Sequence, residues 1–545
     1  MKREMQDALR PWRSRFLVTL LILDICFLGW QHQALTVYAS TEHGNLNMRK
    51  TAAMSGPIRT VVVLVLENRS FDHMLGWMRR LMPELDGVTG SESNPLSLTD
   101  AGSPRILFSD GSEFVDPDPG HSFQAMKAQI FGSEPERTAP DGAAVRAPPP
   151  PMSGFAAQAE SMQQNLSATV MSGFRPEVIP VYAALAQEFA VCDRWFASVP
   201  SSTQPNRLYI HSATSYGATS NEASKLTAGY PQRTIFDDLS EAGLSFGIYY
   251  QNVPSVLFYR SLRQLKYINR FLPYGLWFKR HARTGSLPNY VVIEPRYFDL
   301  PGFHANDDHP SHDVSEGQKL VKEVYETLRS SPQWNQTLLI ITYDEHGGFF
   351  DHVPTPVNGV PSPDDIVGPP PFNFTFHRLG VRVPTMLISP WINKGTVLHE
   401  PVNGPTPSSQ FEHSSIPATV RKLFNLPSGF LSNRDAWAAS FEHLFYERTT
   451  PRTDCAEVLP NSPWSLRHAP PDGNRTTSEF QQELIELAAA VNGPRFLKAE
   501  SVAIAKQSVR AANAFVESAM TRFIRIGRKA ARAGMDAAML IQAIA

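Results

Sequence analysis

Two pairs of oxygen-bearing residues carry the clearest chemical signal in this chain, Glu67-Asn68 and Asp344-Glu345. Each pair follows an apolar run, residues 60–66 and 337–343, of the continuous β-branched and leucine kind found in strands buried on both faces. In an open parallel sheet, ligands bind beyond the carboxyl ends of the strands, so residues directly after two such runs can converge on one point. Three carboxylates and an amide oxygen make a hard site suited to a divalent metal ion, without specifying which one. A single pair would more often cap a turn. Two pairs at equivalent strand ends point to a shared centre.

A nucleophile lies between them in sequence, within Pro200-Ser-Ser-Thr-Gln-Pro-Asn-Arg207. The prolines stiffen this segment, and it runs into an expected helix, so a hydroxyl at the helix entrance beside a metal can be activated and aimed at phosphorus. The chemistry alone leaves Ser201, Ser202 and Thr203 open. Histidines sit in loops beside prolines and glycines: His121, His309, His312, His346 and His352. A fixed imidazole there can protonate a leaving oxygen or bind phosphate, and His121 and His309 are the preferred pair.

Elements able to position these groups are legible. Further strand-like runs fall at 244–250, 290–293 and 385–389, and the spacing of Val314, Leu320, Val321, Val324 and Leu328 predicts a helix over 314–329. Strands alternating with helices imply an α/β fold with a largely parallel sheet. Residues 86–153, rich in Pro, Gly, Ser and Asp, read as a surface excursion, and 354–371 and 401–407 as Pro-rich loops suited to lids. The catalytic domain is expected over 57–450 and a helical C-terminal region over 451–545. Between Lys498 and Asp536, eight basic residues against three acidic ones accompany an apolar stripe. This tail reads as a helix packed on the domain or as an interfacial helix on anionic lipid.

Composition excludes little more. With 545 residues, 42% hydrophobic and 19% charged, the chain is globular in character, and a net charge of −2 provides no general basic field for nucleic acid. Basic residues before an apolar stretch over 16–30, followed by Val37-Tyr-Ala39, predict a signal peptide over 1–39 and entry to the secretory pathway, with retention in ER or Golgi and secretion both open. Cys192 and Cys455 would then form one disulfide or remain two buried thiols. Sequons at Asn165, Asn335, Asn373 and Asn474 suit a glycoprotein.

The segments Glu67-Asn-Arg-Ser-Phe-Asp-His73, Pro200 to Arg207, Asp307-Asp-His-Pro-Ser-His-Asp313, Asp344-Glu-His-Gly-Gly-Phe-Phe-Asp-His352 and Glu412-His-Ser-Ser-Ile-Pro417 together resemble the plant non-specific phospholipase C family. The resemblance implies an alkaline-phosphatase-like three-layer sandwich with a mostly parallel central sheet. It also implies a metal held by Glu67, Asn68, Thr203, Asp344 and Glu345, with Thr203 as nucleophile and His121 and His309 near the phosphate. A metal-ligating Asn68 would leave the sequon Asn68-Arg-Ser unglycosylated. The activity implied is hydrolysis of membrane phosphatidylcholine and phosphatidylethanolamine to diacylglycerol and a phosphorylated head group. A phosphomonoesterase on the same scaffold and a non-catalytic lipid-binding protein are the alternatives.

Overall fold

The computed structural model describes Met54 and residues 56–544, apart from 141, 142, 144, 221, 222, 403 and 494–498. The expected signal peptide over 1–39 lies outside the described residues. Eight strands form the central sheet: β1 (Thr60–Leu66), β2 (Ala190–Cys192), β3 (Phe246–Tyr250), β4 (Phe271–Pro273), β5 (Tyr290–Glu294), β6 (Thr337–Tyr343), β7 (Thr385–Ile388) and β8 (Thr396–Leu398). Their order is β8-β2-β7-β6-β1-β5-β3-β4. Every pairing is parallel except those of β7, which runs antiparallel to β6 and β2. The mostly parallel α/β sheet is thus as expected, and β1 and β6 have the expected bounds. β2, β4 and β8, each of three residues, lie in segments too short for periodicity to register.

All seven residues of β1 and all seven of β6 are buried, which requires cover on both faces. Two groups of helices supply it. Val314–Arg329 packs with Tyr274–Thr284 and Pro180–Glu188, and Thr203–Ser212 packs with Ile235–Glu241 and Ser415–Leu423. The first of these helices has the bounds and the buried stripe that the sequence predicts, and Asp313 caps it by accepting from the Ser315 N–H.

Two segments differ from the expectation. Residues 86–153 are not a surface excursion: Phe108, Met126, Ile130, Phe131 and Met152 join Trp77 and Phe155 in a second apolar cluster. Large side chains scattered among prolines can build a core without any periodic signature. The C-terminal helical stretch is interrupted, giving Ala499–Ala505 and Val509–Arg532, with Ser508 capping the second by accepting from the Ala511 N–H. Ala512, Val516, Met520 and Phe523 are buried in the main core, where the helix packs against Glu479–Ala490 and the turn Leu265–Arg270. Its apolar stripe is therefore covered by the chain itself, while Arg525, Lys529 and Arg532 face outward. Cys192 and Cys455 are both buried free thiols. Among the described residues, no helix is long and apolar enough to cross a membrane.

Candidate active site

The two oxygen-bearing pairs are neighbours because their strands are. Leu66 of β1 lies in register with Tyr343 of β6, so Glu67-Asn68 and Asp344-Glu345 emerge side by side from the carboxyl end of the sheet. The loops are then laced together. The Asn68 N–H donates to Asp344 Oδ1 at 3.0 Å, the Asp344 N–H to the Leu66 carbonyl at 3.1 Å, and the Arg69 N–H to the Glu345 carbonyl at 3.0 Å. Gly347 follows with φ +63, and a Cβ there would meet the Asn68 carbonyl oxygen at 2.0 Å, so glycine is what lets the loops pass.

Thr203 is the first residue of the helix Thr203–Ser212, and its hydroxyl donates to Asn68 Oδ1 at 3.2 Å. The backbone N–H groups at this helix end are oriented to stabilise an anion. Ser201 donates instead to the Thr219 carbonyl at 2.7 Å. One helical turn beyond Thr203, Arg207 projects from the same face: Nε donates to Asp344 Oδ2 at 3.0 Å and Nη2 to Glu67 Oε1 at 3.1 Å. Arg207 was not singled out from sequence, although its i+4 spacing from a hydroxyl candidate was a usable signal.

Between two of the histidines stands a second residue that sequence reasoning passed over, Asp118. Its Oδ2 lies 3.6 Å from His121 Nδ1 and 3.5 Å from His309 Nε2. The two rings stand nearly perpendicular with centroids 6.5 Å apart. His121 reaches back to the ligand pairs, with Nδ1 3.5 Å from Asn68 Nδ2 and 4.0 Å from Glu345 Oε1. His309 Nδ1 donates to the Pro310 carbonyl at 2.6 Å, which leaves Nε2 as a lone-pair acceptor. The structure thus gathers Glu67, Asn68, His121, Thr203, His309, Asp344 and Glu345 at one place. The other histidines have partners of their own: His312 pairs with Asp307 while standing beside His309, with ring centroids 5.4 Å apart, His346 pairs with Gln129 while lying 3.6 Å from Glu345 Oε2, and His352 pairs with Asp72.

Burial shapes the electrostatics. It raises the carboxyls of Glu67 and Asp344, opposed by Arg207, and raises Glu345 to about 8, opposed by His121. Burial also disfavours charge on His121, yet Asp118 and Glu345 overcome it and lift the imidazole to about 9. His309 goes the other way, lowered by burial to about 4 and therefore neutral.

Three clustered carboxylates met by a single arginine leave unspent acceptor capacity. Glu345 Oε1 is buried without a hydrogen-bond partner, so the donor set fits a divalent cation. Another group, Asp72, Asp351 and His352, has ligand atoms within 4.8 Å of one another, the spacing of a metal site, but the Arg382 guanidinium already donates to both aspartates. A cavity of about 700 Å³ adjoins the centre, lined by Asp118 and His309 on one side and by Arg467, Arg475, Thr477 and Glu479 of the C-terminal region on the other.

Residues 58–427 match the Phosphoesterase family. Non-specific phospholipase C1 of Arabidopsis thaliana is 58% identical over 490 residues, covering 90% of each chain. Non-specific phospholipase C6 of the same plant is 57% identical over 89% of this chain and 91% of its own. Phospholipase C B of Mycobacterium tuberculosis is 28% identical over 70% of this chain and 75% of its own. Among solved structures, a protein in the alkaline phosphatase superfamily from Vibrio parahaemolyticus is a distant likeness, with TM-score 0.27 and 13% identity over 46% of this chain and 62% of the other. The chain belongs to the phosphoesterase family and, within it, to the non-specific phospholipases C, which are phosphoric diester hydrolases.

Proposed function

We propose that the protein hydrolyses membrane glycerophospholipids, phosphatidylcholine and phosphatidylethanolamine among them, to diacylglycerol and a phosphorylated head group. The observation that carries this reading is the Thr203 hydroxyl, at a helix N-terminus and 3.2 Å from Asn68 Oδ1, beside a nest of buried carboxylates. Glu67, Asn68, Thr203, Asp344 and Glu345 would hold a divalent cation. When bound, it supplies Lewis-acid stabilisation of the phosphoryl oxygens and favours the threonine alkoxide.

Thr203 releases its hydroxyl proton to solvent as Oγ1 attacks phosphorus, and the bond from phosphorus to the diacylglycerol oxygen breaks. His121, held protonated between Asp118 and Glu345, gives its proton to that leaving oxygen. Backbone N–H groups at the start of Thr203–Ser212 stabilise the charge on the phosphoryl group. Neutral His309 then takes a proton through Nε2 from the water that cleaves the phosphothreonine; the phosphorylated head group leaves, the Thr203 oxygen regains its proton from solvent, and His121 and His309 exchange protons with solvent to return to their starting states. The adjoining cavity accommodates the head group.

Release of diacylglycerol from phosphatidylcholine vesicles, compared with release of phosphate from p-nitrophenyl phosphate, tests this function. Efficient monoester turnover with no diacylglycerol would transfer the site to a phosphomonoesterase.

Two further features belong to the same reading. The outward basic face of Val509–Arg532 provides peripheral contact with anionic lipid, in place of an apolar stripe already buried. Passage through the secretory pathway is supported by the sequons: Asn165, Asn335, Asn373 and Asn474 are exposed, whereas Asn68 is fully buried. Glycosidase-sensitive mobility of the protein from its native source, lost when these four asparagines are replaced, checks it.

A further inference from the structure

The tripeptide Phe-Asp-His follows each ligand pair, as Phe71-Asp72-His73 after Glu67-Asn68 and as Phe350-Asp351-His352 after Asp344-Glu345. Nothing in the chemistry above uses it. In the fold the two aspartates meet: the Asp72 N–H donates to Asp351 Oδ2 at 3.2 Å, and His352 donates to Asp72 Oδ2 through both its backbone N–H and Nδ1 at 2.7 Å. Two buried like charges this close require a counter-charge. Arg382 provides it from the segment leading into β7, and its side chain is fully buried.

The guanidinium is engaged on all sides. Nε donates to Asp351 Oδ1 at 2.8 Å and Nη2 to Asp72 Oδ1 at 2.9 Å. Nη1 donates to the carbonyls of Asp86 at 2.8 Å and Asp193 at 2.7 Å. Its carbon stands 4.4 Å from the Phe71 ring centroid, and the Arg382 carbonyl accepts from the Phe71 N–H at 3.2 Å. The arginine thus takes the place that a metal ion would have between Asp72 and Asp351.

We propose that Arg382 is a positioning residue for the metal-ligand pairs, clamping through Asp72 and Asp351 the two loops that carry them. The inference rests on the metal reading given under the proposed function. Between clamp and ligands the loops have no slack: the Ser70 hydroxyl donates to the Phe350 carbonyl at 2.7 Å and the Arg69 N–H to the Glu345 carbonyl at 3.0 Å. A planar fork can hold two carboxylates and two carbonyls at fixed angles, which an ammonium cannot. Loss of the fork therefore lets the ligand pairs drift apart, and metal sites tolerate little drift.

Calorimetric titration of metal-stripped full-length protein with Mn2+ tests the clamp in Arg382→Lys and Asp351→Asn, with circular dichroism reporting the fold. Loss of a residue that orients metal ligands lowers metal affinity by about 10–100-fold, and a weakening of that size is expected in either folded variant. The Mn2+ concentration for half-maximal activity should rise by the same factor, with kcat recovering at saturating Mn2+. Wild-type Mn2+ affinity in a folded variant, even with activity lost, overturns the clamp, and so does collapse of the fold in both variants. A wild-type protein that takes up no Mn2+ overturns the metal reading itself.

Discussion

Thr203 and Asn68 are 135 residues apart in the chain, yet the threonine hydroxyl donates to the asparagine amide oxygen across 3.2 Å, both side chains buried. The contact joins the hydroxyl proton of the proposed nucleophile to a proposed ligand of the cation. It makes Thr203→Ala the sharpest substitution. Turnover of phosphatidylcholine should fall by at least about a thousandfold, as when a covalent nucleophile is removed. The melting temperature should move little, since one neutral hydrogen bond contributes only about 1 kcal/mol. Residual activity near the wild-type level would displace Thr203 from the mechanism.

Arg207 is the cation between Glu67 and Asp344. Replacing it by glutamine leaves buried carboxylates unpaired, a change that costs about 3–5 kcal/mol. Because a bound cation also neutralises these carboxylates, the destabilisation measured by urea unfolding should be smaller with Mn2+ present than after chelation. Equal losses under both conditions would argue that the ion and Arg207 do not share the carboxylates.

Glu345 Oε1 is an orphaned buried acceptor of the centre. Dialysis against a strong chelator should abolish lipid hydrolysis, and added divalent metal should restore it. Chelation should also lower the melting temperature, because a ligand present at 100 times its Kd stabilises the native state by about 2.7 kcal/mol. Glu345→Gln should need a higher metal concentration for recovery, a shift readable in the titration curve.

His352 provides a pH test away from the nucleophile. Burial disfavours its charge, but Asp72 and Asp86 overcome this and raise the imidazole to about 10. A folded pKa above the unfolded value means that the contribution is fully present below about pH 6.5 and is lost as pH rises through 10. With the ring 24% exposed, solvent screening trims the effect to about 2–3 kcal/mol. His352→Gln should thus destabilise the protein by that order at pH 6, with the gap to wild type closing towards pH 10 in urea unfolding. A gap independent of pH would show that the imidazolium charge contributes nothing.

Reversal of the outward charges in the triple variant Arg525→Glu, Lys529→Glu and Arg532→Glu should weaken sedimentation with vesicles containing phosphatidylserine. Each basic residue near an anionic surface is worth about 1 kcal/mol. Hydrolysis of a soluble short-chain substrate should persist. Unchanged vesicle binding would move the lipid contact elsewhere.

The residues themselves determined the chemistry and the frame. Seven-residue runs rich in β-branched side chains and leucine read as strands buried on both faces, so β1 and β6, and the oxygen-bearing pairs directly after them, were legible from local pattern. The stripe over Val314–Arg329 was legible for the same reason, as helix periodicity is written into neighbouring positions. Tertiary structure decided what has no local record. The adjacency of β1 and β6 brings the pairs together across the sheet. Folding also placed Arg207 between two carboxylates, Asp118 between two histidines and Arg382 between two aspartates. It settled the tail as well: an amphipathic stripe looks the same whether its partner is lipid or protein, and only the fold shows that Val516, Met520 and Phe523 meet the protein's own core. Periodicity specifies which side chains share a face. Long-range packing and charge pairing decide what that face meets.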